Sequence, residues 1–212
     1  MAEQIKIQWC GQIVSIQPRS NVWRYRLDNR THSHAGYNLF INGEADGSEK
    51  TSVIAISEIQ QQKLGFRIGD IASGTAWTKK YPKWEYADYY RAGALKRIAA
   101  NDEPIDESSA PPWQGPVPEL AVYAWRGARI LSKASWQSKC FKCKWAAMAN
   151  VAIEYDWGIS QKRRFESFCY GPKSCKYYKF GKAPLVPYKN CGADADVGWL
   201  DEIITENRGW DD

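Results

Sequence analysis

Four cysteines in the second half of the chain are the residues best placed to do chemistry: Cys140 and Cys143 in KCFKCKW, then Cys169 and Cys175 in FCYGPKSCKYY. A CxxC pair in a tight turn presents two thiolates to one cation, and a structural zinc takes four such ligands in a closed tetrahedron. Gly171 and Pro172 let the chain double back between Cys169 and Cys175 and present the second pair. Their five-residue interval is looser than that of an ordinary zinc ribbon. A four-cysteine iron–sulfur cluster uses the same ligands and is the alternative cofactor, with zinc preferred. A redox-active CxxC would need its own βαβ setting, and flanking lysines with a separate second pair argue against it. Cys191 could stand in for Cys175 but reads as a free thiol, and Cys10 as a small buried side chain.

Other chemistry is scarce. His32 and His34 are the only histidines, in a polar stretch, RTHSHAG, that reads as a solvated loop. That scarcity leaves no triad or general-base scheme, and no glycine-rich phosphate loop is present, so no catalytic residue is assigned. Asp194 with Asp196, and Asp201 with Glu202, could chelate magnesium, though an acidic solvated tail explains them as well.

Charge is distributed unevenly. The 212 residues carry a net charge of only +5, and residues 1–110 hold 14 basic against 13 acidic side chains. Residues 126–189 hold 14 lysines and arginines against Glu154, Asp156 and Glu166. A block of that sign attracts phosphate backbones with strong salt dependence. Its members include Lys162, Arg163, Arg164, Lys173 and Lys176, with aromatic residues threaded among them. Two stretches of the first half share this character: NVWRYRLD, with Arg24 and Arg26 on the face opposite Trp23 and Tyr25, and WTKKYPKWEY, with Lys79, Lys80, Tyr81, Lys83 and Trp84. Single strands are bound by stacking bases on aromatic rings along a basic groove. Trp23 and Tyr25 are expected in the core, and Tyr81 and Trp84 on a ligand-facing loop.

The elements that must position these residues divide at 101–118, where NDEPIDESSAPPWQGPVP reads as a linker between domains 1–100 and 119–212. Halves of about 100 residues are small enough to profit from a metal staple. Ile5, Ile7 and Trp9 share a strand face, then Val14 and Ile16 carry the apolar phase onto even numbers, which predicts a bulge beside Gly11. Strands follow at Val22–Asp28, Tyr37–Ile41 and Thr51–Ile56, with the turn-rich NGEADGSEK between the last two. SEIQQQKLG reads as a helix capped by Ser57, RIGDIASGTAW and Trp84–Ile98 read as further strands, and VAIEYDW as a strand before a basic turn, SQKRR.

Over residues 4–98 this order, with the Gly69-Asp70 turn opening the fourth strand, resembles an OB-fold barrel. The resemblance implies nucleic-acid binding, with the loop between the last two strands lining the groove. Residues 113–203 resemble an uncharacterised prokaryotic family through Trp125-Arg126-Gly127, Cys140 to Trp145, FCYGPKSC and Trp199-Leu200-Asp201-Glu202. That resemblance implies one cysteine-built module, zinc-ribbon-like, and no reaction. The expected fold class is therefore mainly β: a five-stranded OB-like barrel plus a small zinc-stabilised α+β domain. The expected function is non-catalytic binding of single-stranded DNA or RNA, with an adaptor or subunit working through protein contacts in a larger assembly, or an iron–sulfur accessory protein, as the alternatives. With no apolar run near the roughly 18 to 20 residues that cross a bilayer and no secretory signal, a cytoplasmic protein without membrane contact is expected.

Overall fold

A single long strand organises the molecule. In the computed structural model, which describes residues 2–25, 30–102, 110–155, 160–181, 198–206 and 208, β1 runs from Lys6–Tyr25. Its first part, Lys6 to Gln12, pairs with β4 (Ile71–Thr78), and its last part, Asn21 to Tyr25, pairs in parallel with β7 (Ala146–Tyr155). Nearly all of its length also pairs with β2 (Arg30–Ala45). Pro18, which has no N–H to donate, falls between the two stretches where β1 has neighbours on both sides.

The apolar phase of β1 does slip, but not beside Gly11. Ile7, Trp9 and Ile13 are buried on odd numbers and Ile16 on an even one, and the register shift lies between Ile13 and Ser15. Gly11 answers to a different need: a Cβ there would stand 2.5 Å from the Asn42 carbonyl oxygen, so β1 and β2 cross too closely for a side chain. Downstream of the slip the buried apolar positions are even, Ile16 and Val22, while Ser15 and Gln17 bury polar side chains on the opposite face. Trp23, expected in the core, is therefore turned to the other face and only half-buried.

β2 and β3 (Ser48–Ile56) form a hairpin whose turn narrows to Asp46 and Gly47, both at positive φ (56° and 68°). Aspartate–glycine suits that geometry, and pairing up to Ala45↔Ser48 makes most of NGEADGSEK strand. Helix α1 (Glu58–Leu64) opens with a complete capping box: Ser57 accepts from the Gln60 N–H, and the Gln60 side chain accepts from the Ser57 N–H. Buried Asp70 then secures the entry to β4, accepting from the backbone N–H groups of Arg67 and Asn101 at 2.9 and 2.8 Å and pairing with Arg97 at 3.1 Å. β4 pairs with β5 (Tyr89–Ala99), and β5 touches β3 in parallel at Ile54↔Tyr89, so the first five strands form a partly closed ring.

The expected linker falls between β5 and α2 (Leu120–Arg126); residues 103–109 of it lie outside the described ones, and the rest forms neither helix nor strand. Beyond α2 come β6 (Arg129–Ile130), α3 (Lys133–Ser135) with a π-turn over Trp136–Cys140, β7, β8 (Ser160–Cys169) and α4 (Gly198–Glu206). The stretch expected as a basic turn, SQKRR, is the start of β8, paired antiparallel with β7. The molecule is mainly β, with the sheet order β2-β3-β5-β4-β1-β7-β8-β6. One apolar cluster takes Ile16, Val22 and Tyr37 from the first half together with Tyr123, Val151, Phe168 and Tyr170 from the second. Among the described residues no helix is long and apolar enough to cross a membrane.

Candidate nucleic-acid interface and cysteine cluster

Basic and aromatic side chains from both halves meet at the loop between β4 and β5. Trp84, 46% exposed, stacks on Tyr81 with ring centroids 5.1 Å apart and planes inclined by 22°. The Lys80 ammonium lies 5.4 Å from the Tyr81 ring. From β8, Arg163 brings its guanidinium 5.1 Å from the Trp84 centroid and 5.9 Å from that of Trp23. The loop is shaped by Glu85, which accepts from the Tyr81 N–H at 2.7 Å, and by the Trp84 N–H bonded to the Tyr81 carbonyl at 2.8 Å.

Other expected contacts are placed differently. Lys79 pairs with Asp88 at 3.5 Å, and Arg164 is half-buried in an ion pair with Glu166 on its own strand. Lys83 and Lys162 are exposed. Lys173 and Lys176 belong to the second cysteine turn, where the Lys176 ammonium lies 5.3 Å from the Tyr177 ring. Arg24 takes part through its backbone in the β1 ladder, and Arg26 lies outside the described residues.

A cavity of about 170 Å³ is lined by Trp84, by Arg19 and Asn21 of β1, Asn38 of β2 and Asn150 of β7, and by Tyr86 and Tyr90. A groove of about 550 Å³ adjoins it, sharing Arg19, Glu85 and Tyr90 and reaching Lys80 and Tyr81. A register shift between Pro18 and Ser20 sets Arg19 opposite Ala35, whose carbonyl accepts from its guanidinium. Burial pushes the Arg19 pKa down and those of Tyr86 and Tyr90 up, Tyr86 to about 12. Arg19, Asn38 and Asn150 did not stand out in the sequence. The available signal was asparagine, poorly suited to strands, inside the apolar runs YNLFI and MANVAI.

The histidines do not lie in a solvated loop; they belong to β2, because β1 extends far enough to pair with them. Ser20 and His34 Nδ1 are hydrogen-bonded at 3.0 Å, and Tyr170 donates to Ser20 Oγ at 3.0 Å. His34 Nε2 is buried without a hydrogen-bond partner. Burial, with His32 beside it, holds the imidazole pKa down to about 4.

The four cysteines gather at the other end of β7 and β8. Their first turn is closed by the Cys143 N–H bonded to the Cys140 carbonyl at 2.9 Å, and the second by the Cys175 N–H bonded to the Pro172 carbonyl at 3.3 Å. Two side chains of β1, Ser15 and Gln17, donate to the Phe141 carbonyl at 2.5 and 2.7 Å, tying the first turn to the ring of strands. Cys140, Cys143 and Cys169 are buried. Burial and neighbouring thiols push Cys140 and Cys143 up to about 12, and burial raises Cys169. Alone, these thiols stay neutral; a bound cation reverses that balance.

The donor set fits a soft cation in kind. The N–H groups of Trp145 and Trp113 are directed at the Cys143 sulfur, that of Gly171 donates to Cys169 Sγ at 3.3 Å, and the Arg129 guanidinium stands 3.8 Å from Cys169 Sγ. Such donors offset charge on metal-bound thiolates. Among the described residues no three His, Cys, Asp or Glu side chains are drawn as close together as the ligands of one ion. Cys191 lies outside the described residues, and Cys10 is exposed, not buried.

Three arginines brace this end. Arg129 donates to the Gly171 and Pro172 carbonyls at 2.8 Å, and Arg126 to that of Tyr170 at 2.5 Å. Arg208, almost wholly buried, donates to the carbonyls of Arg126, Gly127 and Gly171 at 2.7 to 2.9 Å. No family model, curated protein or solved structure matches the chain.

Proposed function

We propose that the protein binds single-stranded nucleic acid across the face formed by Tyr81, Trp84 and Arg163, and that it does so without catalysing a reaction. One observation carries this reading: an exposed indole stacked on a second ring and flanked by a guanidinium from the other half of the chain. Base stacking on such a ring is tolerant of sequence, and the cations around it attract the backbone. In this reading the five-stranded ring is a barrel of OB type, supported by its pairing order β1-β2-β3-β5-β4 and a helix between β3 and β4. Cys140, Cys143, Cys169 and Cys175 hold a structural zinc, which on binding draws the thiolates together and fixes the turns that end β7 and β8.

Binding of labelled single strands to the full chain across a salt series tests the reading. Micromolar or tighter affinity at low salt, falling steeply as salt rises, is the expected result. No affinity at low salt overturns it. A protein-contact reading is favoured by one observation: Val122 and Trp125, three residues apart on α2, both expose apolar side chains. Replacing them would then abolish partner capture while Trp84→Ala is silent.

A further inference from the structure

We propose that the groove of about 550 Å³ beside the Tyr81–Trp84 stack holds the phosphate backbone of the bound strand, and that Arg91 contacts a phosphate there. The inference rests on the single-strand reading above and gives the strand a path, off the stacked rings and between α1 and β5.

Charge comes first. Arg19, Lys80 and Arg91 line the groove against one carboxylate, Glu85, which already accepts from the Tyr81 N–H. Two of these cations lie over rings of the same lining: the Lys80 ammonium 5.4 Å from the Tyr81 centroid and the Arg19 guanidinium carbon 5.7 Å from that of Tyr90. An anion entering the groove therefore meets an excess of positive charge. Position comes next. Tyr81 belongs both to the groove and to the stack, so a strand with a base on Trp84 has its backbone at the groove mouth. The opposite wall is fixed, because Gln60 of α1 donates to the Ala92 carbonyl at 2.7 Å.

Backbone geometry singles out Arg91. Between the pairs Thr75↔Gly93 and Trp77↔Tyr90, β5 has one residue more than β4, and Arg91 sits in that bulge at a φ of 52°. Neighbours in a regular strand face opposite ways, whereas Tyr90, Arg91 and Ala92 all line this one groove. Closing a ring of strands calls for bulges, and β5 has another at Ala94, with φ 49°. That need does not explain a long cation at a position where glycine would sit without strain. The Arg91 side chain is exposed, and among the described residues it has no hydrogen bond or ion pair. Its charge is free for a ligand.

The test uses the full chain and labelled oligothymidylate across a salt series. Arg91→Gly removes the cation and leaves a residue that suits the backbone, so the fold should hold. It should weaken binding about tenfold at low salt and lower the salt slope by about 0.7, the contribution of one phosphate. Arg91→Lys should keep the wild-type slope. Lys96→Ala removes the same charge five residues further along β5, outside the groove lining, and should leave the slope unchanged. Oligomers with and without a 5′-phosphate should bind alike. A preference for the phosphorylated end that Arg91→Gly removes would assign the groove to a strand terminus and overturn the backbone path. If wild type binds but Arg91→Gly loses no more than Lys96→Ala, the groove assignment fails and strand binding stands. No strand binding by wild type removes both.

Discussion

The Arg163 guanidinium carbon lies 5.1 Å from the centre of the Trp84 ring, joining a strand of the basic second half to a loop of the first. The same guanidinium lies 5.9 Å from Trp23. Cation–ring contacts of this kind hold an aromatic surface in place while leaving a charge at its edge. Arg163 and Trp84 are in contact and are expected to couple, so on the proposed reading charge is tested at lysines outside this pair.

Trp84→Ala should weaken single-strand binding roughly five- to a hundredfold, the range of one missing base stack, with little change in the dependence on salt. Affinities of wild type and variant at several salt concentrations check this. A large change in slope would mean that Trp84 acts by placing charge.

Replacing Lys80 and Lys83 together should do the opposite, lowering the salt slope by about 0.7 for each phosphate that is no longer neutralised. Lys79→Ala should change it less, because its ammonium is already paired with Asp88.

Metal analysis should find one zinc per chain, and a chelator or Cys143→Ser should lower the melting temperature by several degrees. A brown protein with visible charge-transfer bands identifies an iron–sulfur cluster instead. Unchanged melting of metal-free protein removes the structural-metal reading.

Acid should weaken the fold through His34. Its pKa in the folded chain is about 4, against about 6.5 when unfolded. Between those values the unfolded chain takes up a proton that the folded chain does not. Stability is therefore complete above about pH 6.5 and declines toward pH 4, by at most about 3 kcal/mol, with no further loss below. Urea midpoints between about pH 7 and pH 4.5 should fall less steeply in His34→Gln than in wild type.

Asp70→Ala should destabilise the protein by about 3 kcal/mol, since it strips a buried carboxylate from two backbone N–H groups and Arg97 at once. Thermal unfolding measures it, and a shift within error would show that water replaces the carboxylate there.

Legibility in the sequence followed the range of the interactions. Local devices could be read: the Ser57 cap, the turn before Asp70, the strands that enter the ring. Failures arose where a distant partner decided the outcome. His32 and His34 read as loop because nothing nearby announces that β1 runs on to pair with them. Trp23 read as core because the phase of β1 is set at Val14, where the register with β2 slips. The cysteine pairs were visible, but Ser15 and Gln17, which anchor the first pair from over a hundred residues away, were not. Arg19, Asn38 and Asn150 converge only after three strands have assembled.

The parallel pairing of β1 with β7 has a bearing on synthesis. Residues 21–25 must await partners at 150–154, and such distant pairing slows folding. A growing chain that has completed only its first hundred residues carries an open strand edge there, of the kind that recruits other chains. Expressing the first half alone should therefore yield a protein prone to self-association, with Asn21 to Tyr25 as its sticky margin.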